Sequence, residues 1–525
     1  MEIRNIRSNL IKIQAGINES KSEEKIGFSP VDSVSIGQSM DSESNSVKIN
    51  ILHINDIHGA VEPMMDPNIS YASPVGGLAY AKAVVDSERE KDPQGTLLLN
   101  AGDIAEGSMV AYLTKGKVVT DILKEMKFDA IALGNHDFAW GQGYLRNLVQ
   151  GLEDTPFVAA NITTVSDGQT INGVKPYIIK DVKGVKVAII GLDTTDIERL
   201  VDKSKLEGLK FNDAAATLNK YIPEVKEKGA DLVLVLSHLG FEEDKKLARQ
   251  VQGINVIVGG HSHTELKEGY REGDTIIVQA GSQTRFLGEL SLEFDIASKK
   301  IVNYSAKLIP IIDKDIKPDR EVEEIVTHYL KEAQQVSSQP MGVALEDLHY
   351  SHKEAAKLNQ ILADALLKAS KAEFALCSSR NLRGNIKKGK VTLKDLFNAF
   401  PMTEEDMVKL KVTGKMILTE IEERIADGGR GITVPAGFKY EYDTSRPSGN
   451  RVTSITTLDG KPLDLDKEYT IVTTISTARK KCFADARDVE ICGSSQQVFF
   501  DYFKENSPWK DNPDDRVKDI NQATN

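Results

Sequence analysis

The stretch "ILHINDIHG", residues 51–59, decides the fold because an apolar run in it leads directly into ligand-type side chains. Ile51, Leu52 and Ile54 are apolar, and together they predict a β-strand. Asp56 and His58 follow where the strand opens into a loop. Because ligands of α/β sheets gather outside the carboxyl ends of the strands, the stretch predicts an α/β sheet with a functional loop at its edge.

Similar runs recur between residues 47 and about 312. They alternate with helical stretches, and most of them end in Asn, Asp or His or are followed at once by one. The runs are "VKINILHIN", "TLLLNAGD", "AIALGN", "PFVAAN", "VKVAIIGLD", "DLVLVLSH", "INVIVGGH" and "TIIVQAGS". This alternation predicts an α/β fold in which helices cover sheets.

Composition divides the chain into four parts. The polar, Ser-rich segment "GQSMDSESNS" (residues 37–46) predicts that residues 1–46 are a flexible N-terminal extension. Residues 47–312 form the first α/β domain, and the charged run "KPDREVEEIVTHYLKEAQQV" predicts a linker helix within residues 313–338. Residues 339–525 are then a second, smaller domain with further α/β segments.

Bulk properties exclude some partners. The chain has 525 residues and a formal net charge of −12, which argues against binding of nucleic acid polymers, since that binding needs clustered positive charge. No apolar run reaches the roughly 18 residues of a membrane span. No signal peptide is legible, because charges interrupt the first apolar residues, so a cytoplasmic location is the default expectation, with export left open as the alternative. The oligomeric state stays open.

Five strand-end motifs supply the chemistry: "NDIHG", "AGDIAEGS", "GNHD", "LSHLG" and "GGHSH". Carboxylates and neutral imidazoles are ligands that suit Zn, Mn or Fe. A pair of divalent metal ions needs about seven protein ligands, one of them a bridging carboxylate. The motifs supply seven candidates besides His136: Asp56, His58, Asp103, Asn135, His238, His261 and His263. They predict a site for two ions.

The motif order D-x-H, G-D, G-N-H-[DE], S-H and G-H-x-H resembles that of calcineurin-like metallophosphoesterases. In its long form, with "GGLAYAKAVV" and "LLLNAGDIAEGS", the sequence resembles the 5′-nucleotidase and UDP-sugar hydrolase family over roughly residues 47–510. The resemblance implies a four-layer α/β/β/α metallophosphoesterase domain followed by a 5′-nucleotidase-type substrate domain.

The resemblance also implies a division of roles. One metal would be held by Asp56, His58 and His263, the other by Asn135, His238 and His261, with Asp103 bridging. A hydroxide bridging the two ions would attack phosphorus, and the reaction would be hydrolysis of a small-molecule phosphate ester.

His136 is the catalytic candidate, placed to donate a proton or a hydrogen bond toward the phosphoryl or leaving oxygen. Family members usually read G-N-H-E-F-D-Y-G here, and the Asp three places after the His pairs with the imidazole. This chain has Ala139 at that position. Asp137 is the obvious local substitute, but as the immediate neighbour it is expected to point elsewhere.

Arg383 stands where the family places a substrate-binding arginine, and Arg380 lies three residues before it. Guanidinium groups suit phosphate or carboxylate. The phenylalanines that clamp the base in family nucleotidases fall on Ile432 and Ile475, and Lys481 replaces the ribose-binding Asp. The leaving group therefore stays open among nucleotides, cyclic nucleotides and nucleotide sugars.

The sequence thus favours a dimetal phosphohydrolase. The alternative is a metal-binding pseudoenzyme or recognition protein whose catalysis is weakened by Ala139. Hydrolysis of a sulfur-containing ester is a third possibility that the spacing alone leaves open.

Overall fold

The structure is a computed structural model that describes residues 46–197, 200–201, 203–401, 406–426 and 431–521. The predicted flexible extension, residues 1–46, lies outside the described residues except for Ser46. We call residues 46–337 the first lobe and residues 338–521 the second lobe.

Two large sheets form the centre of the first lobe. Its strands are β1 (Ser46–Ile54), β2 (Thr96–Asn100), β3 (Ala130–Ala132), β4 (Phe157–Val158), β5 (Ile162–Thr164), β6 (Val174–Lys175), β7 (Tyr177–Val182), β8 (Val185–Asp193), β9 (Leu209–Phe211), β10 (Leu232–His238), β11 (Val256–Gly259), β12 (Tyr270–Glu272), β13 (Thr275–Val278), β14 (Phe286–Asp295) and β15 (Lys300–Pro310). Its helices are α1 (Leu78–Lys91), α2 (Met109–Leu113), α3 (Lys117–Met126), α4 (Gly141–Gly151), α5 (Ala214–Glu227), α6 (Phe241–Gln250) and α7 (Arg320–Ser337).

The strands that carry the motifs run parallel. The order in the seven-stranded sheet is β15-β14-β1-β2-β3-β4-β6, and β1 to β4 are parallel neighbours. The six-stranded sheet has the order β12-β13-β11-β10-β8-β7, with β8, β10 and β11 parallel. All residues of β2 and β10 are buried, as expected for parallel strands covered on both faces. The motif-bearing ends therefore meet at one edge of each sheet.

The two sheets face each other through an apolar layer that includes Leu99 of β2, Leu234 of β10 and Val258 of β11. Helices α1, α3, α4 and α7 cover the outer face of the seven-stranded sheet, and α5 and α6 cover that of the six-stranded sheet. The four-layer α/β/β/α architecture is confirmed.

Helix α7 lies within the predicted linker, residues 313–338. Its buried face, with Val322, Val326 and Tyr329, packs into the core beneath α1 and α3. The Tyr329 hydroxyl also donates a hydrogen bond to Asp121 Oδ2 of α3 at 2.6 Å. The helix therefore packs against the first lobe, and its role as a linker between the two domains stays a prediction.

The second lobe is the smaller α/β domain that the sequence predicted. Its strands are β16 (Pro340–Ala344), β17 (Phe374–Ser378), β18 (Gly389–Thr392), β19 (Asp406–Thr413), β20 (Thr433–Ala436), β21 (Phe438–Tyr442), β22 (Val452–Thr457), β23 (Glu468–Thr474), β24 (Arg487–Ser494) and β25 (Val517–Asp519). Its helices are α8 (Lys357–Ser370), α9 (Leu393–Ala399), α10 (Gly414–Ala426), α11 (Ile475–Ala478) and α12 (Ser495–Glu505). The central sheet has the order β20-β17-β23-β19-β24, with α8 and α12 in the core on one face and α10 in the core on the other.

The lobes touch at several places that the structure describes, including α7 with α9. The rings of Tyr112 and Phe397 lie 5.9 Å apart between α2 and α9. The Arg479 side chain donates from Nη2 to the carbonyl oxygen of Val201 at 2.8 Å. Within the described residues, none of the helices combines the length and the apolar character needed to cross a membrane.

The layer between the two sheets predicts a stability effect. Leu99 is fully buried there, so Leu99→Ala removes apolar contacts and leaves a cavity. We expect the free energy of unfolding of the variant to be lower by about 2–5 kcal/mol. Val302→Ala on β15 is the control, because Val302 is 58% exposed and its truncation should change stability by about 0.5 kcal/mol or less. Calorimetry of both variants checks the difference, and equal unfolding temperatures would contradict it.

Candidate metal centre

Six of the seven predicted ligands come together at the facing edges of the two sheets, and the seventh, Asn135, lies in the loop after β3. Asp56 and His58 follow β1, Asp103 follows β2 and Asn135 follows β3, whereas His238 ends β10 and His261 and His263 follow β11. Two groups of nitrogen and oxygen atoms result, each with its atoms within 4.8 Å of one another: Asp56, His58 and His263, and Asp103, His238 and His261.

Asp103 belongs to the second group and links it to the first. Its Oδ2 is 3.0 Å from His238 Nε2 and 3.8 Å from His58 Nε2. In the first group, His263 Nε2 lies 3.2 Å from Asp56 Oδ1. The donors of both sheets therefore form one continuous cluster around a single carboxylate.

Asn135 has a buried amide oxygen and lies in the loop whose backbone contacts this carboxylate. Its Oδ1 accepts no hydrogen bond from the described residues. The next backbone N–H, that of His136, donates to Asp103 Oδ1 at 2.8 Å. A buried polar atom normally has a partner, and a metal ion would supply one here. The donor set thus fits divalent metal ions.

The loops that present the ligands are conformationally unusual. Five of the seven residues have left-handed backbone, with φ between 49° and 70°: Asp56, His58, Asp103, His261 and His263. Such backbone is uncommon outside glycine and clusters at functional sites. The glycine at position 134 lets the loop after β3 approach Asp103 closely, because a Cβ there would lie 2.3 Å from Asp103 Oδ1. The tight turns aim the side chains at a common point.

Burial and charge set the protonation of the cluster. Burial would raise the pKa of Asp103, but the imidazoles around it, His238 first, hold that pKa well below its usual range. Burial would lower the pKa of His238, but Asp103 raises it well above the ordinary value. Burial, reinforced by His238, lowers the pKa of His261 to about 4, and burial and His136 lower that of His58. These two imidazoles are neutral near pH 7, the form that binds metals.

The histidines are also oriented through their other ring nitrogens. His238 Nδ1–H donates to the carbonyl oxygen of Ala101 at 2.6 Å, and His58 Nδ1–H donates to that of Glu106 at 2.9 Å. Each bond leaves Nε2 directed at the cluster. Backbone carbonyls in this position are typical partners of metal-binding histidines.

His136 lies at the rim of the cluster with its side chain 32% exposed. Its ring meets that of His58 edge to face, with centroids 4.8 Å apart. Its Nδ1 is 2.7 Å from Oε2 of Glu106, a carboxylate that the sequence analysis did not identify. The only signal was its place in the motif "AGDIAEGS", three residues after Asp103.

Asp137 points away from the imidazole, as expected. Its carboxylate accepts hydrogen bonds from the backbone N–H groups of Asp103 at 3.1 Å, Ile104 at 2.9 Å and Gly134 at 2.9 Å. The side chain thus ties the loop after β2 to the loop after β3. Its role is to hold two ligand loops together.

The two predicted substrate arginines lie in the second lobe, after β17, rather than in the cluster. The exposed Arg383 donates from Nη1 to the carbonyl oxygens of Arg380 and Leu382 in its own loop. Arg380 lines a cavity of about 440 Å³ together with Glu423, Arg424, Ala426, Gly431 and Lys480.

The positions expected to carry the base clamp are apolar and buried. Ile432 is 5% exposed in the core beside α8, and Ile475 is 8% exposed in the core beside α10. In the neighbouring turn, Lys480 lines the cavity and Lys481 is exposed. The basic residues 479–481 therefore line the cavity through Lys480 and not through Lys481.

Comparisons with known proteins agree with this architecture. The calcineurin-like phosphoesterase family matches residues 49–265, and the 5′-nucleotidase C-terminal domain family matches residues 337–480. The crystal structure of a 5′-nucleotidase precursor from Thermus thermophilus is similar to this chain with a TM-score of 0.73 and 27% identity. The similarity covers 90% of this chain and 100% of that one.

Two relatives show the range of proteins with similar sequences. Endonuclease YhcR of Bacillus subtilis (strain 168) is 28% identical over 452 residues, 81% of this chain and 36% of that protein. This chain thus spans about a third of that relative's length. The snake venom 5′-nucleotidase of Crotalus adamanteus is 26% identical over 480 residues, 82% of this chain and 80% of that protein.

The four-layer fold and the cluster at its sheet edges are those of a calcineurin-like phosphoesterase domain. The chain belongs to the 5′-nucleotidase family, in which a calcineurin-like phosphoesterase domain precedes a 5′-nucleotidase C-terminal domain. The family that the motifs indicated is confirmed.

The three hydrogen bonds of Asp137 predict a stability effect. Asp137→Asn turns one acceptor oxygen into an N–H₂ group that faces backbone N–H groups. We expect a loss of about 1–3 kcal/mol in the free energy of unfolding, because at least one buried N–H loses its acceptor. Asp154→Asn, at an exposed aspartate, should leave stability unchanged. Thermal unfolding of the metal-free proteins gives the comparison, and an unaltered Asp137→Asn midpoint would refute it.

Proposed function

We propose that this chain is a dimetal phosphohydrolase that cleaves a small phosphate ester of the nucleotide type. The observation that carries the proposal is the Asp103 carboxylate, which lies 3.0 Å from His238 Nε2 and 3.8 Å from His58 Nε2. A carboxylate shared by two donor groups is what a pair of divalent cations requires as a bridging ligand.

The residues that would hold the ions form two sets. Asp56, His58 and His263 would bind one ion and Asn135, His238 and His261 the other, with Asp103 shared by both. Carboxylates, imidazoles and an amide oxygen suit Zn, Mn or Fe. When bound, two such ions lower the pKa of water and neutralise charge on the phosphoryl group in transfer.

His136 is the proposed catalytic side chain. Its backbone N–H donates a hydrogen bond to Asp103. Its ring is partly exposed at the rim of the cluster, where a substrate can reach it. An imidazole can donate a proton or a hydrogen bond to the phosphoryl or leaving oxygen near neutral pH. His136 therefore complements the ions without having to bind them.

The second lobe is proposed to hold the organic part of the substrate. Arg380 offers a guanidinium to the 440 Å³ cavity, with Lys480 beside it and Arg383 in the same loop. Nucleotides, cyclic nucleotides and nucleotide sugars carry anionic groups that these cations suit. The names of the similar 5′-nucleotidases support a nucleotide among them.

Ile432 and Ile475 argue for a different kind of base contact from an aromatic clamp. Isoleucine has no aromatic ring, and both side chains are buried in cores, so neither can stack on a base. Stacking on an aromatic ring is worth about 1–3 kcal/mol per base. We therefore propose that charged contacts carry more of the affinity than base stacking does.

The competing function is a metal-binding recognition protein without turnover. Its support was the lost carboxylate at Ala139. Against it stand the ligand-type residues at all seven predicted positions, six of which form close groups, and the carboxylate of Glu106 beside His136. The hydrolase is therefore favoured.

A metal-dependent assay tests the function. The purified chain should hydrolyse an aryl phosphate and at least one of a 5′-mononucleotide, a 2′,3′-cyclic nucleotide and a nucleotide sugar once Mn or Zn is added, and a chelator should abolish turnover. Asp103→Asn should remove both turnover and tight metal binding, because the shared ligand loses its charge. His136→Ala should retain the metals and lower kcat by about 10²–10⁴-fold.

The matched control is Asp274→Asn, because Asp274 is exposed at the surface, and it should behave as the wild type. Elemental analysis of each protein separates metal loss from catalytic loss. If the wild type binds metal and hydrolyses none of the panel, the hydrolase proposal is wrong and the recognition protein is supported.

The cavity predicts a kinetic signature for Arg380. Arg380→Ala should raise KM for the organic substrate by about 10–100-fold, the loss expected for a charged hydrogen bond, and leave kcat nearly unchanged. KM for a small aryl phosphate should barely change. Arg320→Ala on the surface of α7 is the control. Equal effects of Arg380→Ala on both substrates would show that the cavity does not bind the organic part.

A further inference from the structure

His136 forms a strong hydrogen bond with Glu106 at the edge of the cluster. The family pattern does not predict this bond. The Glu106 carboxylate is 4% exposed and accepts from the imidazole, with Nδ1 and Oε2 2.7 Å apart. Hydrogen bonds to ionised acceptors are roughly twice as strong as neutral ones. Burial strengthens the bond further, because water competes little there. The interaction is strong enough to fix the orientation of a ring.

Glu106 is itself held rigidly by the site. Its carbonyl oxygen accepts the Nδ1–H of His58 at 2.9 Å. The next residue, Gly107, approaches the same histidine so closely that a Cβ would lie 2.8 Å from His58 Cβ. One residue thus contacts two histidines, His58 through its backbone and His136 through its side chain. A substitution of the side chain keeps the backbone contact with His58 and removes the contact with His136.

Neither nearby alternative can take the place of Glu106. Ala139 is 1% exposed and offers only a methyl group at the position where the family has the paired Asp. The Asp137 carboxylate accepts three backbone N–H groups of the ligand loops. Of these three residues, Glu106 is the one whose carboxylate oxygen reaches the imidazole.

We propose that Glu106 is the positioning residue of His136, and that it replaces, from the loop after β2, the carboxylate that Ala139 lacks. The bond holds the Nδ1–H of His136 on the Glu106 carboxylate and leaves Nε2 as the nitrogen that faces a substrate, to which it can donate when Nε2 also carries a proton. The proposal rests on the proposed function for its catalytic consequence, but the orientation of the ring can be tested without turnover.

A double-variant cycle tests the catalytic consequence. Glu106→Gln keeps the shape of the side chain and should lower kcat by about 10–100-fold, with KM and metal content unchanged. His136→Ala should lower kcat more, and the variant that combines both should be no slower than His136→Ala alone, because Glu106 acts only through His136. Losses that multiply in the combined variant would overturn the proposal. Loss of a bound ion in Glu106→Gln would also overturn it, because Glu106 would then be a ligand.

Moving the carboxylate is a second arm of the same test. Ala139→Asp in the Glu106→Gln background should recover at least part of the lost kcat, because it restores an acceptor at the family position. Ala139→Asp alone should give no large gain, because His136 is already supported. A large gain in that single variant would show that the natural histidine lacks support. Glu90→Gln, at an exposed glutamate of α1, controls for the loss of a negative charge.

A spectroscopic measurement in the metal-free protein separates this proposal from the proposed function. Nitrogen-15 spectra of histidine-labelled protein, with the His136 signals identified by their loss in His136→Ala, report which ring nitrogen carries the proton. The wild type should show a protonated Nδ1, and Glu106→Gln should shift that signal. If the wild type lacks turnover but shows this shift, the function fails and the positioning role stands. Identical His136 signals in both proteins would overturn the positioning role.

Discussion

The carboxylate of Asp103 is the point on which the whole site depends. It contacts His58 from the loop after β1 of one sheet and His238 from β10 of the other, at 3.8 and 3.0 Å. It also accepts the backbone N–H of His136. A buried carboxylate in this position would cost several kcal/mol of desolvation if it had no cationic partners. The surrounding imidazoles stabilise its charge, as its lowered pKa shows, and ions at the same place would do so more strongly.

The sandwich of two sheets makes that arrangement possible. The apolar layer with Leu99 and Leu234 fixes the spacing of the sheets, so the loops at their edges can face each other. Parallel strands put their carboxyl ends on the same edge, which brings residues distant in the chain together. Asp137 then ties two of the loops with three hydrogen bonds. The stability of the core and the geometry of the site are therefore coupled.

The sequence predicted the parts of the site that lie at strand ends, because a strand end is visible as an apolar run followed by a polar residue. It predicted that seven side chains would meet; six of them form two close groups in the structure, and the roles of all seven as ligands stay a prediction. The sequence could not reveal Glu106 as the partner of His136, because 30 residues separate them and the contact depends on how two loops cross. The charged face of α7 is visible in the sequence, but the surface that covers Val322 and Val326 is not, so the packing of this helix against the first lobe could not be predicted.

The relation between Glu106 and Ala139 shows why a missing motif residue is weak evidence for lost function. An imidazole needs an acceptor at Nδ1, but the acceptor can come from any loop that passes within hydrogen-bond distance. Here the loop after β2 passes close to the loop after β3 because Asp103 and Asp137 hold the two together. A carboxylate on the first loop can therefore support a histidine on the second. The constraint that the site must satisfy is an orientation of His136, and the position of its partner along the chain is free to vary.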